Sequence, residues 1–549
     1  MVLRFGALIA LPLSIYAFLI FHLYQIQIVK GDYYLARAES QTFSPNFIKA
    51  NRGVIYFTDK NGNTLSAAIN KNFPVIYAVP KAIEDSLEAA NLISPIVGRS
   101  VEELEAMFSK PDDTYELIVR KAGSDSAKKV EDLNVNGIYV IVEPTRFYPL
   151  GPVASQMLGF VGPSSDEKNE TGHYGLEEFY ENKVAGEAGS IVDGEIKEPT
   201  PGEDLSLTID PNIQTEAENV LKKLVDDYKA KGGSVIVEDP LTGKILAMGS
   251  LPGFDPNNYG NYPLQDFINP ATQQVYEPGS VFKVITMSAG IDSGKITPDT
   301  VYFDKGTVTL NGRTISNYDL ATNGPYGRAT MTNVLEHSIN TGAVFAEREM
   351  GRDIFTDYVK KFGFGEKTGI DLPAEVKGDL GRLSPKEKDI AFATASYGQG
   401  VAATPLEVIN AFSAIANGGK LMRPHLNASM EPTVARRVIG EETARRVTEM
   451  MVSAVDKAKI AKINGYSLAG KTGTAFVPDF KNGGYTDNVI NTYVGFGPTT
   501  DPRFVILLKL NEPEGAPVAG LSVVPAFRDL AQFIINYYGI QPDRLDNKN

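Results

Sequence analysis

Ser280 and Lys283 are the pair in this 549-residue sequence whose types and spacing best suit covalent chemistry. They lie in Tyr276-Glu277-Pro278-Gly279-Ser280-Val281-Phe282-Lys283-Val284-Ile285-Thr286-Met287. Pro278 and Gly279 break whatever precedes them, and the apolar run that follows predicts a buried helix beginning near Ser280. At i and i+3 the hydroxyl and the ammonium share one helix face, and the free N–H groups of the helix start create positive potential around Ser280. A serine hydroxyl is a weak nucleophile and needs a base within hydrogen-bond reach. A lysine can serve when a dry, electropositive site lowers its pKa.

The spacing alone is a weak signal, because Ser126-Ala127-Lys128-Lys129 carries it too. That copy follows Gly123-Ser124-Asp125, a polar run that reads as a solvated turn. What sets Ser280 apart is its company. Ser338-Ile339-Asn340 sits inside a helical pattern over 331–346, and Lys471-Thr472-Gly473-Thr474 follows the small residues Ala469-Gly470. Small residues there would let a substrate backbone come close to a sheet edge. Lys367-Thr368-Gly369 repeats that triplet in a glycine-rich turn, without the small residues before it or the hydroxyl after it.

The elements that must position these residues fall into two stretches, separated by the stiff polar linker Glu198-Pro199-Thr200-Pro201-Gly202-Glu203-Asp204. Beyond it, Leu205–Ile209 alternates like a strand and 211–228 is helical. Ser234–Glu238 and Lys244–Met248 form a hairpin around Asp239-Pro240-Leu241-Thr242-Gly243. Tyr493–Gly497 and Phe504–Lys509 make a second strand pair, and 523–538 a closing helix. Strands at both ends with helices between them predict an α+β domain, one antiparallel sheet flanked by helical layers. Before the linker, residues 25–42 read as an amphipathic helix and 50–56 as a strand with a hairpin turn at Asp59–Asn63. The remainder mixes short strands and helices without a catalytic constellation, as a pedestal would. Residues 5–24 are almost uninterruptedly apolar and long enough to span a bilayer, with no small-residue cleavage site after them. The expected order is a tail over 1–4, a transmembrane signal anchor over 5–24, a mixed α/β pedestal over 25–203, a catalytic domain over 204–540 and a flexible end over 541–549. Leu251–Gln274 and Val477–Thr486 are the long irregular segments expected to border a cleft.

Composition narrows the chemistry. A net charge of −14 leaves no basic block to neutralise phosphates, so no nucleic-acid partner is expected. Without cysteine there is no disulfide, thiolate metal site or cysteine nucleophile. The four histidines are scattered without ligand spacing, so neither a metal nor a histidine triad is expected, and no cofactor is implied.

Ser-x-x-Lys, Ser-x-Asn and Lys-Thr-Gly, in this order, mark the penicillin-recognising serine acyltransferases. Along nearly its whole length the chain resembles a class B penicillin-binding protein, a peptidoglycan D,D-transpeptidase. The supporting stretches are Arg52-Gly53-Val54-Ile55-Tyr56, Arg146-Phe147-Tyr148-Pro149, Gly175-Leu176-Glu177 and Tyr397-Gly398-Gln399-Gly400. Glu277-Pro278-Gly279-Ser280 and Asp501-Pro502-Arg503-Phe504 are similar to the division-type (FtsI-like) subgroup; the alternatives are an elongation-type enzyme and a non-catalytic penicillin-binding sensor or scaffold.

The resemblance implies a mechanism. Ser280 attacks the carbonyl between the terminal D-alanines of a stem peptide, Lys283 takes its proton, an acyl-enzyme forms and D-Ala leaves. Ser338 relays a proton with Lys283 and Lys471 towards the leaving amine, and Asn340 holds the substrate amide and orients Lys283. Lys471 supplies positive potential, while Thr472, Gly473 and Thr474 bind the terminal carboxylate or its β-lactam equivalent. The N–H groups of Ser280 and Thr474 form the oxyanion hole, worth about 3–4 kcal/mol per donor in other enzymes. The implied partners are D-Ala-D-Ala stem peptides, β-lactams as covalent inhibitors, a SEDS-family glycosyltransferase and other division proteins. The implied location is the bacterial cytoplasmic membrane, single-pass, with the catalytic domain extracytoplasmic.

Overall fold

The computed structural model describes residues 15–31, 47–48, 50–111, 113–165, 170–192, 195–479 and 481–544. Of the expected anchor, residues 15–24 are helical and Gln25–Val29 continues as a π-turn; positions 1–14, and 32–42 of the amphipathic helix expected after it, lie outside the described residues. Among the described residues no helix is long and apolar enough to cross a membrane.

The chain forms two compact units that interleave in sequence. The first comprises 1–53, 69–147 and 182–203; the second comprises 54–68, 148–181 and 204–549. Residues 148–181 join the later part of that unit through specific bonds: the Tyr148 N–H donates to Asn257 Oδ1 at 3.0 Å, and the Tyr180 hydroxyl donates to Asp371 at 2.8 Å.

In the first unit, residues 69–78 pair antiparallel with Ile138–Phe147, and Glu116–Val119 adds to the end of the same stretch. Helices Ser86–Val97, Val101–Phe108 and Ser124–Leu133 cover it, burying Ile76, Ile93, Leu104, Phe108, Ile118 and Val130. Asp85 and Ser100 cap the first two helices by accepting the N–H groups of Glu88 and Glu103. Ser126 lies on the third helix, where Gly123 is the N-cap and Ala127 and Val130 face inward. The solvated turn expected there is thus an amphipathic helix; the inward face at Ala127 and Val130 outweighs the polar run before it.

The second unit is built on helix α1 (Pro211–Asp227), strands β1 (Gly232–Glu238) and β2 (Ile245–Leu251), and helices α2 (Lys283–Asp292), α3 (Met331–Glu336), α4 (Asn340–Met350), α5 (Pro405–Ala416) and α6 (Glu441–Ala458). Strands β3 (Ala469–Pro478), β4 (Tyr485–Gly497) and β5 (Phe504–Asn511) and helix α7 (Val523–Tyr538) complete it. The five strands form one antiparallel sheet in the order β2-β1-β5-β4-β3, so the chain's last strand pair lies beside its first hairpin. Leu205–Ser206 is only a two-residue strand, paired parallel with Ile55–Tyr56 rather than with this sheet.

Side chains alternate between the sheet's faces. Val235, Val237, Ala247, Ile506, Leu508 and Leu510 pack on one face with Ile213, Leu221 and Leu224 of α1 and Phe527, Leu530 and Ile534 of α7. Each such fully buried aliphatic or aromatic side chain contributes roughly 1.5–3 kcal/mol. The other face meets α5, which is buried along nearly its whole length, including its polar residues Glu407, Asn410 and Ser413. β3 ends the sheet, leaving an edge beside the segment that precedes α2.

Candidate active site

A short 3₁₀ turn, Gly279–Phe282, carries Ser280 and passes directly into α2 at Lys283. Gly279 has φ +59°, a conformation open to glycine without strain, and its N–H donates to the Gly398 carbonyl at 3.2 Å. Glu277 fixes the same segment by accepting the Gly400 N–H at 2.8 Å. The turn rests on the sheet edge at Gly473, where a Cβ would lie 2.7 Å from the Pro278 carbonyl oxygen. The space at Gly473 therefore seats the chain's own nucleophile turn against β3.

Ser338 enters from a different layer. The helical pattern over 331–346 is in fact two helices. α3 is closed at its start by a reciprocal capping box between Thr330 and Asn333. At its end the Ile339 N–H reaches back to the Val334 carbonyl at 3.0 Å, and Ser338 takes φ +56°. This is a Schellman-type stop with serine in the left-handed position usually given to glycine, at a cost of about 1–2 kcal/mol. Its result is that both the carbonyl and the hydroxyl of Ser338 face Lys283, and Asn340 begins α4 on the same side.

Lys283 Nζ lies 3.0 Å from Ser280 Oγ, 2.5 Å from Ser338 O, 2.8 Å from Asn340 Oδ1 and 3.2 Å from Ser338 Oγ. The side chain is fully buried. Burial holds its pKa well below the usual lysine value, the nearby Lys471 pushes it the same way, and Asp319 opposes them. A neutral amine has two hydrogens and one lone pair. The Ser338 carbonyl and Asn340 Oδ1 can only accept, so they take the hydrogens and leave the lone pair for the hydroxyl hydrogen of Ser280.

Lys471 shows the complementary pattern. It projects from β3 opposite Val494, and its Nζ lies 3.0 Å from Ser338 Oγ, 3.1 Å from Thr472 O and 3.2 Å from Thr472 Oγ1. Three acceptors suit an ammonium with three hydrogens, and burial brings its pKa down to about 7. Ser338 Oγ thus bridges the two lysines.

Thr472 and Thr474 leave the opposite side of β3 from Lys471 and Gly473. The hydroxyl of Thr472 accepts from Lys471 and, among the described residues, meets no acceptor for its own hydrogen. That of Thr474 is engaged, accepting the Ala519 N–H at 3.1 Å and donating to Asn491 Oδ1 at 3.3 Å. Of the residues singled out in the sequence, Ser280, Lys283, Ser338, Asn340 and Lys471 converge through direct contacts, and Gly473 and Thr474 back the nucleophile turn.

Other neighbours were not legible from the motifs. Asn340 Nδ2 donates to the Ser316 carbonyl at 2.9 Å, binding the 316–326 loop to the site. Lys509, buried and brought down to about 8 by that burial, stands 4.9 Å from the Tyr276 ring and shares a register position with Thr492, one strand in from Gly473. A lysine interrupting the apolar run Val505–Leu510 was the available signal for it.

Known proteins resemble this chain along most of its length. Residues 233–532 match the family profile described as "Penicillin binding protein transpeptidase domain", and 47–207 match "Penicillin-binding Protein dimerisation domain". Stage V sporulation protein D of Bacillus subtilis is 30% identical, over 94% of this chain and 83% of its own length. Peptidoglycan D,D-transpeptidase FtsI of Escherichia coli is 27% identical, over 99% of this chain and 93% of its own. The crystal structure of penicillin binding protein 2X from Streptococcus thermophilus shares the fold, with a TM-score of 0.72 over 90% of this chain and 81% of that one at 22% identity. The profile covers more than half of the chain, including the turn, the helix break and the edge strand that meet at Ser280. The chain belongs to the penicillin-binding protein transpeptidase family.

Proposed function

We propose that Ser280 is the nucleophile with which this serine-type D,D-transpeptidase crosslinks peptidoglycan stem peptides. One observation carries the assignment: Lys283 is buried, its two amine hydrogens are claimed by pure acceptors, and its lone pair is left for the Ser280 hydroxyl. Lys283 removes the hydroxyl proton as Oγ attacks the penultimate D-alanine carbonyl. Ser338 Oγ, within reach of both lysines, passes a proton to the departing D-alanine amine. Lys471, cationic below about pH 7, attracts the substrate carboxylate, with Thr472 and the β3 edge receiving it. The N–H groups of Ser280 and Thr474 stabilise the oxyanion. Thr474 acts through its backbone, since its hydroxyl hydrogen is already given to Asn491.

The same reading gives β-lactams as covalent inhibitors, held as slow-hydrolysing acyl-enzymes. It places the catalytic unit outside the cytoplasmic membrane, anchored by residues 5–24, in septal wall synthesis with a SEDS-family glycosyltransferase and other division proteins. Glu277-Pro278-Gly279-Ser280 and the similarity to a protein named FtsI support the division role.

The test is labelling of the full-length chain with a fluorescent penicillin, read by gel and by intact mass. One adduct per chain is expected, absent in Ser280→Ala and stable over hours. An adduct that survives Ser280→Ala would refute the assignment of the nucleophile. Rapid turnover of the penicillin would make the chain a hydrolase, and a folded chain that never labels would make it a scaffold.

A further inference from the structure

The acceptor of the crosslink must reach the acyl-enzyme from a definite side. Aminolysis reverses acylation in its geometry, so the incoming amine occupies the place the departing amine left, beside Ser338 Oγ. The wall next to Ser338 is the loop 316–326. Two links hold it there: Asn340 Nδ2 donates to Ser316 O at 2.9 Å, and the Tyr326 ring packs on His337 with centroids 4.8 Å apart.

That loop carries one carboxylate whose situation differs from its neighbours'. Asp319 is partly buried; its Oδ2 accepts from the Tyr326 hydroxyl and from Asn323 Nδ2 at 2.8 Å. Burial and Asp319 hold the Tyr326 phenol up at about 12, so it stays a donor and fixes the carboxylate's orientation. Among the described residues Oδ1 has no hydrogen-bond partner and no lysine or arginine pairs with Asp319. By contrast Glu336, one residue before His337, is fully engaged by Asn333, Ser453 and Lys457. Asp319 also opposes the lowering of the pKa of the buried Lys283. A negative charge held without a counter-cation, at the amine end of a site with two lysines, is placed to receive a cation from outside.

We propose that Asp319, oriented by Tyr326, is the acceptor subsite and binds the primary ammonium of the neighbouring stem peptide. The proposal rests on the reading of Ser280 and the lysines given above, and adds to it which group selects the second substrate. The ammonium docks on Oδ1. Neutral Lys283 first takes one ammonium proton, freeing the nitrogen's lone pair to attack the acyl carbon, and the C–N bond forms as the C–Oγ ester bond breaks. Of the three ammonium protons, one stays on the new amide, one returns to Ser280 Oγ, and one passes to neutral Lys283 and from there to water. Attraction to Asp319 raises the local amine concentration and favours aminolysis over attack by water.

The experiment compares the full-length chain with Asp319→Asn and Asp319→Glu. Asparagine keeps an oxygen for the Tyr326 hydroxyl while removing the charge. Acyl-enzyme is formed from an N-acyl-D-alanyl thioester, and the ratio of amide to acid product is followed against the concentration of a primary-amine acceptor. Acylation by fluorescent penicillin is read in parallel. The acceptor concentration giving half-maximal aminolysis should rise at least tenfold in Asp319→Asn and recover in part in Asp319→Glu, with penicillin acylation changed by less than threefold. An unchanged acceptor dependence would overturn the proposal. So would a parallel fall in acylation and aminolysis, which would make Asp319 a support of the loop. Failure of the unsubstituted chain to label at Ser280 would instead refute the underlying assignment, and this subsite with it.

Discussion

Ser126-x-x-Lys129 and Lys367-Thr368-Gly369 repeat the spacing of Ser280-x-x-Lys283 and Lys471-Thr472-Gly473, and the copies differ in almost everything except sequence. Ser126 and Lys129 lie on one face of an amphipathic helix, but the helix turns Ala127 and Val130 inward and leaves Lys129 exposed. Ser280 and Lys283 have the same spacing at the start of a helix buried on every side, where two further segments supply acceptors for the amine. Lys367 is likewise exposed, and the N–H groups of Thr368 and Gly369 wrap the Glu375 carboxylate at 2.7 and 3.1 Å. Lys471 sits in an edge strand, fully enclosed, against Ser338. Spacing places two groups near each other; desolvation by distant parts of the chain is what changes their chemistry.

The largest effect should come from the base. Lys283→Ala removes the group that accepts the Ser280 proton, and general-base removal typically costs about 10²–10⁴ in rate. Acylation by penicillin, measured as a second-order rate constant, should fall in that range, while Lys129→Ala leaves it within twofold. Equal behaviour of the two variants would erase the distinction between the copies.

A smaller effect separates the two buried lysines from each other. Lys283, lowered by burial and by Lys471, must be neutral to act; Lys471, lowered to about 7 by burial, must be protonated to attract the carboxylate. A lysine loses its proton as pH rises through its pKa. Acylation should therefore rise as Lys283 loses its proton and decline once Lys471 does so near pH 7, by roughly tenfold over the following unit and a half. Lys471→Arg stays cationic and should abolish that decline. If the descending limb persists unchanged in Lys471→Arg, another group governs it.

Much of this was legible in the chain. The strand pairs 234–248 and 493–509 and the helices 211–227 and 523–538 follow from alternation and from helical periodicity, because one face of each meets a single core. The converging residues were readable from motif order. What escaped was set by tertiary contacts. The stop at Ser338 has no glycine to announce it; it exists because Ile339 is buried and its N–H is taken by Val334. The grouping of 54–68 and 148–181 with the later unit depends on partners far along the chain, such as Asp371 for Tyr180. Asp319 belongs to no periodic pattern, and its place beside the site depends on a backbone carbonyl three residues earlier.

The smallest effect tests the seat of the nucleophile turn. In Gly473→Ala the new Cβ would meet the Pro278 carbonyl oxygen at 2.7 Å and Val281 Cγ1 at 3.0 Å. The valine methyl can give way, but the carbonyl cannot retreat without moving the backbone that aims Ser280. A loss of about 1–3 kcal/mol is expected from the overpacking, with acylation slowed severalfold as the turn lifts from the strand. At Gly369 the nearest atom to a Cβ is Arg423 Nε at 3.4 Å, an ordinary contact, so Gly369→Ala carries only the strain of φ +79°. That strain costs about 1–2 kcal/mol and should leave acylation unchanged. Thermal unfolding and penicillin acylation, measured together on both variants, separate stability from alignment. If Gly473→Ala loses stability yet acylates at the unsubstituted rate, the strand glycine does not set the position of Ser280, and the two Lys-Thr-Gly copies differ only in the burial of their lysines.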